Sequence, residues 1–503
     1  MVLKVLNFFL ALSLVFASPV GNFSKFQDLP QEHWAYEVIE NLTSLGIIAG
    51  YPDKTFHPEG SVTRAEFAKI ITLSFKIPVP SNSGSRFPDV GAFHWGAPFV
   101  EACALEGIIE GYPDGNFYPE KPVSKEEVLT ILIRRILPDQ ELLPESVTFP
   151  DVEPERWSSP YIEAALTLGL FTRDDPLFTE KGLFHPDVSC TRTQACYLVF
   201  RARFLGASLY LGAPSTYEVN YTVHLVNRGA GRSGELDFTL ALFPDVLPFQ
   251  KVESLALTPL PEDYEEDDHG NQYALFRLDG INPGESVSLS MVAEVEVFPF
   301  TYFPDPEINN LTYLKSTPGY ECYTSSEPYE ESGSPEIQEK SEEFPSGNSH
   351  FDAALEVYDF VRSYLEYSGY NPQSSGALEA LFSGKGDCTE FADLFVALAR
   401  AKGIPSRFVE GFTYNPGSQG RGDLTHDWAE IMLPGEIWLP VDPTYGRFGE
   451  NYFCSSDNKH IILTRGRNLD LLGGYHYYYY TYSTGGGLAE INSWDEISII
   501  PLE

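Results

Sequence analysis

Positive charge is what this sequence has least of. Lys and Arg number 33 against 72 Asp and Glu, a formal net charge of −39 over 503 residues. A polyanion is repelled by such a chain, which excludes non-specific nucleic-acid binding as a main role. The balance suits a soluble protein in a salty or alkaline exterior. It does not mean disorder, because 14% of the residues are aromatic and apolar runs are plentiful. Cysteine is scarce too: Cys103, Cys190, Cys196, Cys322, Cys388 and Cys454. If one stays reduced as a reactive thiol, at most two disulfides can form. Cys322 with Cys454 is one conceivable pair. Long apolar runs are missing after the first residues. Lys4, the apolar residues 5–16 and the small-residue site at Val15-Phe16-Ala17 read as a signal peptide over 1–17. No later stretch is long and apolar enough to cross a membrane, so no span is expected in the mature chain.

The length exceeds one ordinary domain, so three or more units are expected. Residues 24–205 repeat themselves as 24–80, 86–140 and 147–205. Phe26-Gln27-Asp28, Phe87-Pro88-Asp89-Val90 and Phe149-Pro150-Asp151-Val152 open the units. His33-Trp34-Ala35, His94-Trp95-Gly96 and Arg156-Trp157-Ser158 follow, each ahead of an amphipathic helix that ends at Gly46, Gly107 or Gly169. A second helix then starts after Thr63, Ser124 or Thr191, and Glu66 and Glu127 complete capping boxes. Three copies of one supersecondary unit make a repeat module.

These units resemble S-layer homology repeats. The resemblance implies an α-helical, pseudo-threefold module that holds a secondary cell-wall polymer. It carries the ligand-contacting basic position onto Arg64, Lys125 and Arg192, and the groove tryptophan onto Trp34, Trp95 and Trp157. On the residues alone, the tryptophans are explained nearly as well by core packing. The third unit departs: it lacks the Gly-Tyr-Pro-Asp loop, carries an insertion over 173–182, and reads Thr191-Arg192-Thr193-Gln194. Lys125 keeps the charge of an arginine without its bidentate geometry.

Residues 208–302 change character. Residues 217–227, 235–243 and 287–298 alternate apolar and polar with turn residues between them, which reads as an immunoglobulin-like β-sandwich. The acidic run 262–268 lacks metal-ligand spacing and reads as a solvated loop, so no metal site is expected. Residues 303–348, rich in Ser, Glu, Pro and Gly, read as a linker. The catalytic unit is expected over 349–503, with a C-terminal β extension whose tyrosines 475 and 477–480 mark an edge strand.

Within it, residues 386–403 form the stretch around which the rest is arranged. Asp387 is a good N-cap, Gly403 and Pro405 stop the helix, and Phe391, Leu394, Phe395 and Leu398 recur at helical spacing. Cys388 therefore opens the helix, where N–H groups and the dipole favour a thiolate. Residues 425–431 and 437–444 read as adjacent strands that bring His426 and Asp442. A Cys–His pair oriented by a carboxylate is the arrangement acyl transfer needs. Glu390 and Asp393 read as surface charge.

Gly386-Asp387-Cys388-Thr389-Glu390-Phe391-Ala392, Ala399-Arg400-Ala401-Lys402-Gly403-Ile404-Pro405-Ser406-Arg407, His426-Asp427-Trp428-Ala429-Glu430 and Trp438-Leu439-Pro440-Val441-Asp442-Pro443-Thr444 resemble, in that order, the transglutaminase-like superfamily core. The resemblance implies a papain-like α+β fold and a Cys388–His426–Asp442 triad acting on a glutamine carboxamide or peptide carbonyl. No cofactor is implied, and a calcium requirement stays open. Larger members often stabilise the oxyanion with an upstream tryptophan, and none lies between Trp157 and Cys388. Three readings remain: a wall-anchored transamidase, a cysteine peptidase or amidase with the same triad, and a non-catalytic surface protein.

Overall fold

The computed structural model describes residues 26–502 apart from 82–85, 138–147, 172–181, 305–310, 312, 314–317, 345–348, 372, 418–423, 435–436 and 485–486. The signal segment 1–17 lies outside the described residues, as does most of the 173–182 insertion.

Each repeat supplies two helices: α1 (Tyr36–Ser44) and α2 (Arg64–Ser74), α3 (Ala97–Leu105) and α4 (Lys125–Ile136), α5 (Ser159–Thr167) and α6 (Arg192–Ser208). Capping boxes open α2 at Thr63/Glu66 and α4 at Ser124/Glu127. The third unit keeps the device with glutamine: Thr191 N–H donates to Gln194 Oε1 at 3.0 Å, and Gln194 N–H donates back to Thr191 Oγ1 at 3.2 Å. Gly46, Gly107 and Gly169 follow the first helices at φ of 71°, 69° and 67°, a conformation that costs glycine least. Asp28, Asp89 and Asp151 each accept two backbone N–H groups from the loop before the second helix. The departures of the third unit therefore leave its frame intact.

The middle strands are β1 (Leu209–Leu211), β2 (Ser215–Asn227), β3 (Leu236–Leu242), β4 (Gln250–Thr258), β5 (Asp263–Glu266), β6 (Gln272–Leu278), β7 (Ser286–Val297) and β8 (Phe300–Tyr302). The later strands are β9 (Glu366–Tyr367), β10 (Lys385–Gly386), β11 (Ser406–Thr413), β12 (Thr425–Leu433), β13 (Ile437–Val441), β14 (Ser455–Ser456), β15 (His460–Arg465), β16 (Tyr478–Tyr482) and β17 (Ile491–Leu502). Two four-stranded antiparallel sheets, β16-β3-β6-β5 and β17-β2-β7-β4, enclose one core. The alternation read over 217–227 and 287–298 is β2 and β7.

Three boundaries differ from the sequence reading. The C-terminal strands do not extend the catalytic unit: β16 pairs with β3, and β17 pairs with β2 along its whole length. Period-2 strands need partners, and tertiary structure chose these. The acidic run holds β5, an exposed edge strand paired with β6, instead of a loop. The described residues of 303–348 form a packed strap rather than a linker. It forms the helices Pro318–Thr324 and Pro335–Glu342, and Ile337 is fully buried. Arg400 anchors it, donating to Ser325 O and Glu327 at 3.0 and 2.6 Å and lying 2.9 Å from the buried Glu330 as an ion pair.

The remaining unit sets the helices His350–Tyr364, Gly376–Ser383 and Cys388–Ala401 beside the antiparallel sheet β13-β12-β11-β15. Phe391, Leu394, Phe395 and Leu398 are fully buried, each contributing roughly 1.5–3 kcal/mol. Gly411 must stay a glycine, since a Cβ there would lie 2.0 Å from Ile461 O and 2.9 Å from Trp428. That close approach lets β11 sit between β12 and β15, the strands that carry the two histidines described below.

Candidate active site

Asp387 caps the cysteine helix in a full capping box with Glu390. Its second oxygen accepts Asn371 N–H at 2.7 Å, while Glu390 Oε1 accepts Ser375 N–H at 2.8 Å. Neither Glu390 nor Asp393 is surface charge, as the sequence suggested. Both are buried, and Asp393 pairs with Arg467 at 3.0 Å.

Cys388 opens the helix and is buried, with 8% of its surface exposed. Its sulfur lies 4.0 Å from Asp427 Oδ2, the oxygen to which the Thr389 hydroxyl donates at 2.6 Å. Burial raises the thiol well above its usual range, and the carboxylates of Asp427 and Asp387 raise it further. The thiolate expected from the helix terminus alone is therefore not the resting form. Desolvation and two acids outweigh a half-charge dipole.

His426 and Asp442 meet as the sequence predicts. His426 on β12 places Nε2 2.6 Å from Asp442 Oδ2, just past the end of β13. Because a carboxylate only accepts, the ring donates from Nε2, leaving Nδ1 as its basic nitrogen. Nδ1 makes no hydrogen bond with a described residue, and Cys388 makes none with His426. Asp442 Oδ1 accepts the backbone N–H groups of Thr444 and Tyr445 at 2.8 and 2.9 Å. Burial opposes ionisation of Asp442, but the two histidines beside it hold it well below the usual carboxylate range.

The second histidine, His460 on β15, was not legible in the sequence. Its Nε2 lies 3.2 Å from Asp442 Oδ2 and its Nδ1 lies 2.8 Å from Asp457 Oδ1. The available signal was a histidine at the head of an apolar run, three residues after an aspartate. Asp427 and Thr389 were also missed. His426, His460 and Asp442 offer ligand atoms within 4.8 Å of one another. A metal could use them only by breaking their mutual hydrogen bonds.

In the repeat module the three basic residues are turned inward. Arg64 Nε donates to Phe117 O at 2.9 Å, Lys125 Nζ to Phe184 O at 3.4 Å, and Arg192 Nε to Phe56 O at 2.9 Å. Each reaches the loop of the next repeat, and the third closes on the first. Arg64, Lys125 and Arg192 are only 6–8% exposed, so most of each side chain is taken up by the frame, and the direct contact with a wall polymer that the resemblance implied would use only the little surface left. Trp34, Trp95 and Trp157 are exposed, at 39%, 49% and 54%.

The family model described as the transglutaminase-like superfamily matches residues 339–443, and that of the S-layer homology domain matches 25–68 and 86–129. The chain thus carries S-layer homology domains and a transglutaminase-like core. Cell surface glycoprotein 1 of Acetivibrio thermocellus is 36% identical over 146 residues, 27% of this chain and 6% of that protein. The cellulosome-anchoring protein of the same organism is 35% identical over 138 residues, 26% of this chain and 30% of that one. S-layer protein EA1 of Bacillus anthracis is 28% identical over 183 residues, 36% of this chain and 20% of that one. The chain therefore spans under a third of the length of each. Among solved structures, a Cytophaga hutchinsonii protein provisionally called a cysteine protease is 18% identical, covering 59% of this chain and 93% of that one, with a TM-score of 0.39. The periplasmic domain of TgpA from Pseudomonas aeruginosa is 15% identical, covering 48% and 93%, with a TM-score of 0.26.

Proposed function

We propose that this is an exported cell-surface thiol acyltransferase, anchored to the cell wall by its repeats and acting on glutamine carboxamides. The observation that carries the reading is the buried His426–Asp442 hydrogen bond of 2.6 Å, set beside a helix whose first residue is Cys388, inside the transglutaminase-like match.

In this reading His426 Nδ1 takes the Cys388 proton and the sulfur attacks the carboxamide carbon. The C–N bond breaks, and His426 returns the proton to the leaving ammonia. A primary amine then attacks the thioester, expelling the thiol. Asp442 holds the ring with Nε2–H inward throughout. The Cys388 N–H stands at the helix terminus, where it can meet the oxyanion. Because the resting thiol is raised, proton transfer to His426 must accompany attack.

We further infer a pseudo-threefold module, supported by the ring of basic residues each holding the next repeat's loop. In it the exposed tryptophans meet a secondary cell-wall polymer, while Arg64, Lys125 and Arg192 fix the loops around them. The two facing four-stranded sheets support an immunoglobulin-like middle unit.

The test is to incubate the protein, and its Cys388→Ala variant, with a glutamine-rich protein and a primary amine, then record mass spectra. Amine added at glutamine with loss of ammonia, only in the wild type, is the expected result. Backbone cleavage would replace the reading with a cysteine peptidase, and glutamate formation with a deamidase.

A further inference from the structure

We propose that His460 is a second positioning residue: as an imidazolium clamped between Asp457 and Asp442, it fixes the orientation and charge of the carboxylate that serves His426. The catalytic consequence rests on the acyl-transfer reading above; the hydrogen-bonded chain itself does not.

The geometry settles the protonation of this ring without reference to any activity. His460 Nδ1 faces Asp457 Oδ1 at 2.8 Å, and Nε2 faces Asp442 Oδ2 at 3.2 Å. Ionised carboxylates accept and do not donate, so both ring nitrogens must carry hydrogen. A neutral imidazole has only one N–H and would leave one contact as two opposed lone pairs. His426 differs, since only its Nε2 meets a carboxylate. The resulting chain is Asp457, His460, Asp442, His426, with the first three charged minus, plus, minus.

The surroundings agree. His460 is 6% exposed. The groups facing it are Asp457 from the turn before β15, Asp442 after β13, His426 and Trp428 on β12, and the rings of Tyr445 and Tyr452 at 5.1 and 5.6 Å. A small cavity beside it also includes Glu430, which is already ion-paired with Arg407 at 2.7 Å. Asp457 is anchored in turn, accepting Lys459 N–H at 2.9 Å and the Tyr452 hydroxyl at 3.1 Å. Burial opposes a charge on His460, but the two carboxylates outweigh it and raise the ring to about 9.

Two consequences follow for the base. First, all four contacts of Asp442 are filled: His426 and His460 on one oxygen, Thr444 N–H and Tyr445 N–H on the other. The carboxylate cannot rotate away. Second, a positive charge within a few ångströms partly cancels the field of Asp442, so His426 does not face a bare anion. A general base must be able to lose its proton near working pH.

The experiment is an NMR titration of the histidine rings in the full-length protein. In the wild type His460 should remain doubly protonated through pH 8. In His460→Gln the His426 ring should hold its proton to a pH higher by about one unit, a ten-fold change in its proton equilibrium. Asp457→Asn leaves both rings in place and serves if the first variant does not fold. It should bring the His460 titration down toward the ordinary histidine range, and with His460 neutral the His426 ring should again hold its proton to a higher pH, as in His460→Gln. A wild-type His460 already neutral at pH 7, or a His426 titration unmoved in whichever variant folds, overturns the proposal. The titration needs no turnover, so failure of the acyl-transfer assay leaves its outcome readable.

Discussion

The Thr389 hydroxyl donates to Asp427 Oδ2 at 2.6 Å, and that same oxygen lies 4.0 Å from the Cys388 sulfur. Cys388 thus rests beside an acid to which the family resemblance gives no role. Burial, then nearby Glu410, raises Asp427 to about 6, so the acid is ionised at pH 7.5 and largely neutral at pH 5.

Asp427→Asn should therefore speed alkylation of Cys388 by iodoacetamide at pH 7.5 by about ten-fold, a shift of roughly one unit in the thiol equilibrium. The advantage should shrink as pH falls through 6, where the wild-type acid becomes neutral too. Equal rates at pH 7.5 would remove Asp427 from any account of thiol reactivity.

Loss of the His426 orienter should be far more damaging than loss of charge near the thiol. Asp442→Asn frees the ring to turn and favours the wrong tautomer, and should lower kcat by about 10³–10⁴ with KM little changed. Steady-state transamidation with an unchanged far-UV spectrum checks it. A loss below ten-fold would show that Asp442 does not orient the base.

His460 also couples folding to pH. Its folded value, about 9, lies above the unfolded value near 6.5, so its contribution is fully present below about pH 6.5 and is lost as pH rises through 9. The unfolding free energy of the wild type should fall over that window, by on the order of 3 kcal/mol from this group, and the urea midpoint should fall with it. His460→Gln should flatten the slope, and an unchanged slope would refute the linkage.

The strap over the cysteine helix depends on one guanidinium. Arg400→Ala would leave the fully buried Glu330 without its cation, which costs about 3–5 kcal/mol. Protease digestion should then cut the strap at lower urea than in the wild type. Resistance equal to wild type would mean that Ile337 and its neighbours hold the strap without the ion pair.

The repeat module separates packing from recognition. Arg64→Ala removes bonds to Phe117 O, Glu110 O and Glu127 and should destabilise the module by about 2–3 kcal/mol. Replacing Trp34 and Trp95 with Ala should leave the melting midpoint within a few degrees while reducing co-sedimentation with purified cell walls several-fold. If the arginine variant loses wall binding at full stability, the basic residues touch the polymer after all.

Much of this protein was legible from its residues because the signals are local. Capping boxes at Thr63 and Ser124, helix-ending glycines and the Asp387–Gly403 helix depend on atoms within a few positions in the chain. The His426–Asp442 pair was legible because one short turn joins their two strands, fixing which side chains meet. What sequence could not show depends on segments far apart. The sheet partner of β17 lies some 270 residues upstream in β2, and alternation specifies that a strand needs a partner without naming it. The inward turn of Arg64, Lys125 and Arg192 was decided by ring closure among three repeats. The resting state of Cys388 was decided by burial, which no motif records: the helix terminus favours a thiolate, and Asp427 on a distant strand together with desolvation reverses that preference. His460 shares one carboxylate with His426 because Gly411 lets β11 lie tightly between the strands that bear them.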